Sequence, residues 1–295
     1  MRLVGFGDDQ VGVLAGERVV ELTDLVGVPG GSWPPTAMLR LIRDYDRLAA
    51  TIAARAAAGD GIPLAEVRLS APVRWPSKLI AFPANYQRHI EEMRSVNRAD
   101  HNGYFLKATS SIVGPNDAIV LPPIEGAEVH HECELGLVIG REGHDIPVEK
   151  ALDYVFGFTC LIDVTVRGKQ ERVARKSFDT FTPTGPWLVT RDEIADCASL
   201  GLSLTVNGEP RQSANTRDLL LGIPEMVSMT STISTVYPGD LIATGTPEGV
   251  GPIRAGDEVT ITIESVGSMT IPVLAPPEPG GYDLRYWGRQ REEQA

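Results

Sequence analysis

The stretch Val129 to Gly140 reads as one strand in which acids and apolar residues alternate from Glu132 before it turns wholly apolar, and this pattern limits the possible folds more than any other. Side chains of a strand point alternately to its two faces. Glu132 and Glu134 therefore share one face, while Cys133, Leu135, Leu137 and Ile139 share the other. The second face predicts a strand anchored in a sheet core. The first sets two carboxylates side by side, and they repel unless something positive lies between them. A second apolar run, Phe156 to Ile162, also ends in an acid, Asp163. Acids at the ends of buried strands are costly without a partner, so one shared cation would account for all three. Oxygen-only ligands favour magnesium, manganese or calcium over zinc. A solvated strand face is the competing explanation. His130 and His131 precede the acids, but adjacent strand residues face opposite ways, so at most one can join them. His130 is expected behind the acids or in the core, not as a ligand.

The 39 acids against 27 Lys and Arg give a net charge of −12. That balance argues against nucleic acid, which is bound by neutralising phosphates. It leaves an anionic small molecule open, because a bound dication inverts the local field. Three cysteines without a CxxC pair suit a reducing compartment. Acid follows within the first nine residues, where a signal segment would be apolar, and no apolar run approaches a membrane span. A cytoplasmic protein with no membrane partner is the expectation.

Residues 1–70 read as a small β-rich accessory domain with one helix. A hairpin is expected around Ala15-Gly16-Glu17, and Thr36 can cap a helix whose apolar positions, from Met38 to Ala53, recur at helical spacing until Gly59. No cluster of reactive side chains occurs there. Residues 71–280 are dominated by short strands and turns. Strands are expected at Lys78 to Phe82, Leu202 to Val206 and Glu258 to Glu264, helices at Asn85 to Val96 and Pro224 to Thr235, and a tight hairpin turn at Asn207-Gly208. Residues 281–295 read as a polar tail.

Three further clusters carry chemistry. His89 and Glu92 lie three apart on the predicted helix and can touch. A carboxylate fixes the tautomer of an imidazole, which can then act as a general base on water; the same spacing also serves an ordinary surface pair. Lys176, in Arg175-Lys176-Ser177-Phe178-Asp179, gains meaning if its ammonium reaches the cation, where it would stabilise an enolate. Thr244-Gly245-Thr246-Pro247-Glu248-Gly249-Val250-Gly251 has glycines that let backbone N–H groups approach an anion, though a plain strand-to-loop turn explains it equally.

Taken together, Asn85-Tyr86…His89…Glu92, Phe105-Leu106-Lys107, Val113-Gly114-Pro115, Glu132-x-Glu134-Leu135, Phe158-Thr159-Cys160…Asp163-Val164, Lys176-Ser177-Phe178-Asp179 and Thr244-Gly245-Thr246-Pro247-x-Gly249-Val250-Gly251 resemble the fumarylacetoacetate hydrolase family. The likeness covers about residues 76 to 275. It implies an α+β, mainly β fold: a mixed β-sandwich roll catalytic domain, dimeric as a rule, holding Mg²⁺ or Mn²⁺. Glu132, Glu134 and Asp163 look like the metal ligands, His89 and Glu92 like the water-activating dyad, and Lys176 like the residue facing the enolate. Lys107, Gln170, Gly245 and Thr246 look like substrate contacts. The implied activity is hydrolysis of a C–C bond in an acylpyruvate-type 2-oxo acid. The same site would also serve decarboxylation or isomerisation of related oxo acids, or hydrolysis or dehydration of a 3-deoxy-2-oxo sugar acid. One departure stands out: where the family usually reads Ser-Ala-Arg-Asp-x-Gln, this chain has Thr165-Val166-Arg167-Gly168-Lys169-Gln170. The lost acid and the added lysine change the charge beside the site, which bears on the substrate more than on the metal.

Overall fold

Pairing of distant strands begins at the first residues of the chain. Arg2–Phe6 is hydrogen-bonded to Gln10–Ala15 on one side and to Thr182–Thr190 on the other, so the amino-terminal strands extend the sheet that carries the site. The structure, a computed structural model, describes residues 1–27, 33–94, 98–278, 281, 283, 284 and 287. It is an α+β protein, mainly β, with a 12-stranded, a five-stranded and a three-stranded sheet among the described residues. In the largest, the central order runs Arg2–Phe6, Thr182–Thr190, Val155–Ile162, Cys133–Ile139, Leu241–Ala243, Leu79–Ala81 and Phe105–Lys107.

That sheet is covered on both faces. Leu135, Leu137, Phe158, Cys160 and Ile162 pack with Leu202, Leu204, Ile261 and Ile271 of the five-stranded sheet. Val138, Leu161 and Leu188 pack on the other side with Leu41, Leu48 and Ile52 of the amino-terminal helices. Burial on two sides explains why Cys133–Ile139 is buried along its whole length. No helix among the described residues is long and apolar enough to cross a membrane.

Local signals and structure differ in instructive places. The single helix expected after Thr36 is two, Ala37–Arg43 and Tyr45–Ala58, broken at Asp44. The Asp44 carboxylate bonds Arg43 at 2.8 Å, and its carbonyl starts the second helix by accepting from Arg47 and Leu48. The Thr36 side chain makes no cap bond. Instead the Asp9 carboxylate accepts from the Thr36 and Ala37 N–H groups at 2.8 and 3.2 Å, closing the helix end from a neighbouring turn. The helix expected from Asn85 is Gln87–Met93, and Val96 lies outside the described residues. Asn85 is a buried clamp whose amide donates to the carbonyls of Leu221 and Thr244 at 3.0 and 2.9 Å. Asn207 and Gly208 both take positive φ, as a two-residue hairpin turn demands. Most of the expected tail also lies outside the described residues; Trp287 packs on Phe178 with ring centroids 5.6 Å apart.

Candidate metal centre and active site

Glu132 sits where the chain passes between two sheets. The run expected as one strand is two, Val129–His131 in the three-stranded sheet and Cys133–Ile139 in the large one, with Glu132 at the crossing. Cys133 pairs with Ile162, and the Asp163 N–H donates to the Glu132 carbonyl at 2.9 Å. Two antiparallel strands thus deliver their terminal acids to one point. Glu132, Glu134 and Asp163 each offer a ligand oxygen, all lying within 4.8 Å of one another, and the residues are only 5%, 2% and 2% exposed.

Cations surround this cluster. Lys176 Nζ lies 2.6 Å from Glu132 Oε2 and 2.5 Å from Asp163 Oδ2. Lys107 Nζ donates to Asp163 Oδ1 and, at 2.9 Å, to the Phe181 carbonyl. Arg167 Nη2 is 3.1 Å from Glu132 Oε1, close enough for an ion pair but poorly angled for a hydrogen bond. Burial opposes the charge on Glu132, yet Lys176 and Arg167 outweigh it and hold the carboxyl well below its usual range. Lys176 likewise stays charged against burial, through Asp163 and Glu132. Glu134 is different. Burial, then the charges of Asp163 and Glu132, push it far above the usual range, although the Gly245 N–H donates to it at 2.7 Å. An under-compensated third carboxylate converging on two others is the charge pattern a bound dication resolves, and the all-oxygen donor set fits Mg²⁺ or Mn²⁺.

His89 lies across a cavity of about 120 Å³ that these carboxylates line with Lys176 and Thr246. Its Nδ1 is 3.1 Å from Glu92 Oε2, and Glu92 Oε1 accepts from the Gly249 N–H at 3.0 Å. Phe82, Met93 and Phe105 form apolar wall, and Arg167, Arg172 and Arg175 bring three guanidiniums. A larger cleft of about 410 Å³ opens beside Trp33, Arg74 and Trp75 but contains none of the expected site residues. Chemistry, not volume, locates the site.

Of the expected residues, the three acids, His89, Lys176 and Thr246 line one cavity, with Glu92 bonded behind His89. Gly245 braces Glu134, and Lys107 is buried beneath Asp163. Gln170 is outside the lining, its Oε1 buried without a hydrogen-bond partner. His130 faces Glu128 at 3.2 Å, outside the three-acid cluster. Sequence reasoning gave no role to Arg172 and Arg175. Arg172 stands three residues before Arg175 and four before Lys176 on the helix Arg172–Lys176, and that spacing was the available signal.

A model of the fumarylacetoacetate (FAA) hydrolase C-terminal domain matches residues 78–274. A maleylpyruvate hydrolase of Aquipseudomonas alcaligenes is 42% identical over 285 residues, 92% of this chain and 99% of that one. A mitochondrial oxaloacetate tautomerase of Rattus norvegicus is 41% identical over 246 residues, 79% of this chain and 78% of that one. Among solved structures, the maleylpyruvate hydrolase of Sphingobium sp. SYK-6 in complex with manganese(II) ion and pyruvate superposes with a TM-score of 0.86 at 46% identity, covering 94% of this chain and all of that one. A 2-hydroxyhepta-2,4-diene-1,7-dioate isomerase from Mycobacterium marinum gives 0.65 at 41% identity, covering 74% and 81%.

Proposed function

Because the chain belongs to the fumarylacetoacetate hydrolase family, we propose that it is a Mg²⁺- or Mn²⁺-dependent hydrolase that cleaves a C–C bond of an acylpyruvate-type 2,4-dioxo acid. The observation that carries this reading is the hydrogen-bonded His89–Glu92 pair facing three buried carboxylates across one small cavity. When bound by Glu132, Glu134 and Asp163, the dication supplies Lewis-acid stabilisation of charge on the oxygens of a 2-oxo acid.

The chain's own groups do the rest. Glu92 holds His89 with its proton on Nδ1, leaving Nε2 free to take a proton from water as that water adds to the C4 carbonyl. The C3–C4 bond then breaks, its electron pair passing toward C3 and the C2 oxygen. The Lys176 ammonium stands in the cavity to stabilise that enolate. The proton that His89 took from water then passes to C3, which completes a carboxylic acid and pyruvate and restores the neutral imidazole. Arg167, Arg172 and Arg175 favour a substrate with a second carboxylate on the acyl side; Arg172 lies over the Phe105 ring at 5.2 Å. Relatives are named for maleylpyruvate, oxaloacetate and a 1,7-dioate, each a dicarboxylate.

We assign catalysis to residues 71–280 and an accessory role to residues 1–70, where no member of the cavity's catalytic set falls. A cytoplasmic homodimer is the proposed working form, which light scattering and fractionation test. Function is tested by steady-state assays of maleylpyruvate, oxaloacetate and 2-hydroxyhepta-2,4-diene-1,7-dioate with Mn²⁺. Hydrolysis of the first is the expected result. Turnover of only the other two would make the protein a tautomerase or isomerase.

A further inference from the structure

Gln212, on the strand Glu209–Asn215, is 2% exposed and bonded through both ends of its amide. Its Oε1 accepts from the Cys133 N–H at 2.9 Å and from His131 Nδ1 at 3.0 Å. Its Nε2 donates to Thr246 Oγ1 at 2.8 Å and to the Pro247 carbonyl at 2.9 Å. The orientation is forced, since the Cys133 N–H can only donate and the Pro247 carbonyl can only accept. One end of the amide therefore grips the chain between Glu132 and Glu134, and the other grips the loop 244–251.

That loop reaches both halves of the site. Its Gly245 N–H donates to Glu134, and its Gly249 N–H donates to Glu92 Oε1 at 3.0 Å, whose other oxygen meets His89. The loop also rests directly on the Gln212 strand. Gly249 has φ +92°, and a Cβ added there would stand 2.0 Å from the carbonyl oxygen of Arg211. Glu92 is about one-third exposed, so its side chain needs a second contact to stay in one rotamer.

We propose that Gln212 is a positioning residue for the dyad: it seats loop 244–251 so that the Gly249 amide fixes Glu92, which in turn fixes the tautomer and aim of His89. This rests on the reading of His89 and Glu92 as the water-activating pair. Among the described residues, the Gln212 side chain bonds His131, Cys133, Thr246 and Pro247 and neither member of the dyad. Its influence passes through Thr246 and Pro247 to Gly249. Replacing Gln212 by Met keeps the volume but strands the Cys133 N–H and the Pro247 carbonyl, so lost stability alone does not separate positioning from structure. Gln212→Glu keeps the acceptor for Cys133 and His131 and releases chiefly the loop.

The test combines three readouts on Gln212→Met and Gln212→Glu. Histidine ¹⁵N spectra of the metal-free protein report the His89 tautomer, and the Nδ1–H preference is expected to be lost. With Mn²⁺ and a 2,4-dioxo acid, kcat is expected to fall about 10- to 100-fold while KM and Mn²⁺ affinity stay within about threefold. In a His89→Asn background, the same substitution is expected to lower kcat less than about twofold further. Unchanged His89 spectra and kcat would overturn the proposal, as would an equal loss in the His89→Asn background. If Gln212→Met fails to fold, Gln212→Glu is judged by the same readouts. Full hydrolysis by His89→Asn itself would instead remove the dyad reading, whereas an inactive His89→Asn beside a fully active Gln212→Met would remove only the role of Gln212.

Discussion

The backbone N–H of Gly245 donates to Glu134 Oε2 at 2.7 Å, the one hydrogen bond this carboxyl receives among the described residues, while burial and the charges of Asp163 and Glu132 push it far above its usual range. One neutral donor does not balance a buried carboxylate flanked by two others. Divalent metal should therefore stabilise the protein. At a free Mn²⁺ concentration 100 times Kd, linkage gives about 2.7 kcal/mol, read as a rise of several degrees in Tm. Glu132→Ala should abolish the rise, and an undiminished response in that variant would remove Glu132 from the ligand set.

Replacing His89 by Asn should lower kcat about 100- to 10,000-fold, the range a positioned general base contributes. Mn²⁺ affinity should stay near wild type, because His89 is not among the three oxygen donors. A kcat within threefold of wild type would show that water is activated elsewhere.

The Arg172 guanidinium lies over the Phe105 ring, 5.2 Å from its centroid, and the residue lines the cavity. Arg172→Met keeps the stem and removes the charge. For a dicarboxylate such as maleylpyruvate, KM should rise roughly 10- to 100-fold, corresponding to about 1.5–3 kcal/mol for a charged hydrogen bond. Acetylpyruvate, with no acyl carboxylate, should be nearly unaffected. Equal penalties on both substrates would rule out the charge-reading role.

His131 is 1% exposed, and burial pushes its imidazole down to about 4. Between the ordinary value near 6.5 and that value, the unfolded chain binds a proton that the folded chain refuses. Stability from this group is complete above pH 6.5, declines on acidification, and levels off below pH 4. From pH 7 to pH 5 the loss is about 2 kcal/mol. Urea denaturation of wild type and His131→Gln across that window should show the shallower slope in the variant; parallel slopes would mean that His131 titrates freely in the fold.

The convergence of the three acids was legible because strand geometry has a period of two: the residues that alternate with Glu132 and Glu134 do enter the core, and Asp163 does follow the next strand of that sheet. The sequence did not reveal what depends on distant pairing. Gln212 lies 79 residues from Cys133, and nothing in its neighbours says that its amide will reach that strand. The helix cap from Asp9 crosses 27 residues in the same way, overriding the local candidate Thr36. The break at Asp44 was hidden because apolar spacing continues through it, from Leu41 and Ile42 to Leu48 and Ile52. Arg172 and Arg175 were masked by their chemistry, since a basic helix face ordinarily meets solvent.

The insertion of Arg2–Phe6 beside Thr182–Thr190 means that residues 1–70 cannot be engineered independently of the sheet that follows. Excising residues 1–70 would bare the backbone of an inner strand two places from Cys133–Ile139. Such an uncapped edge is a template for sticking to other copies, so a minimal version trimmed to the reactive half should clump before it loses its chemistry.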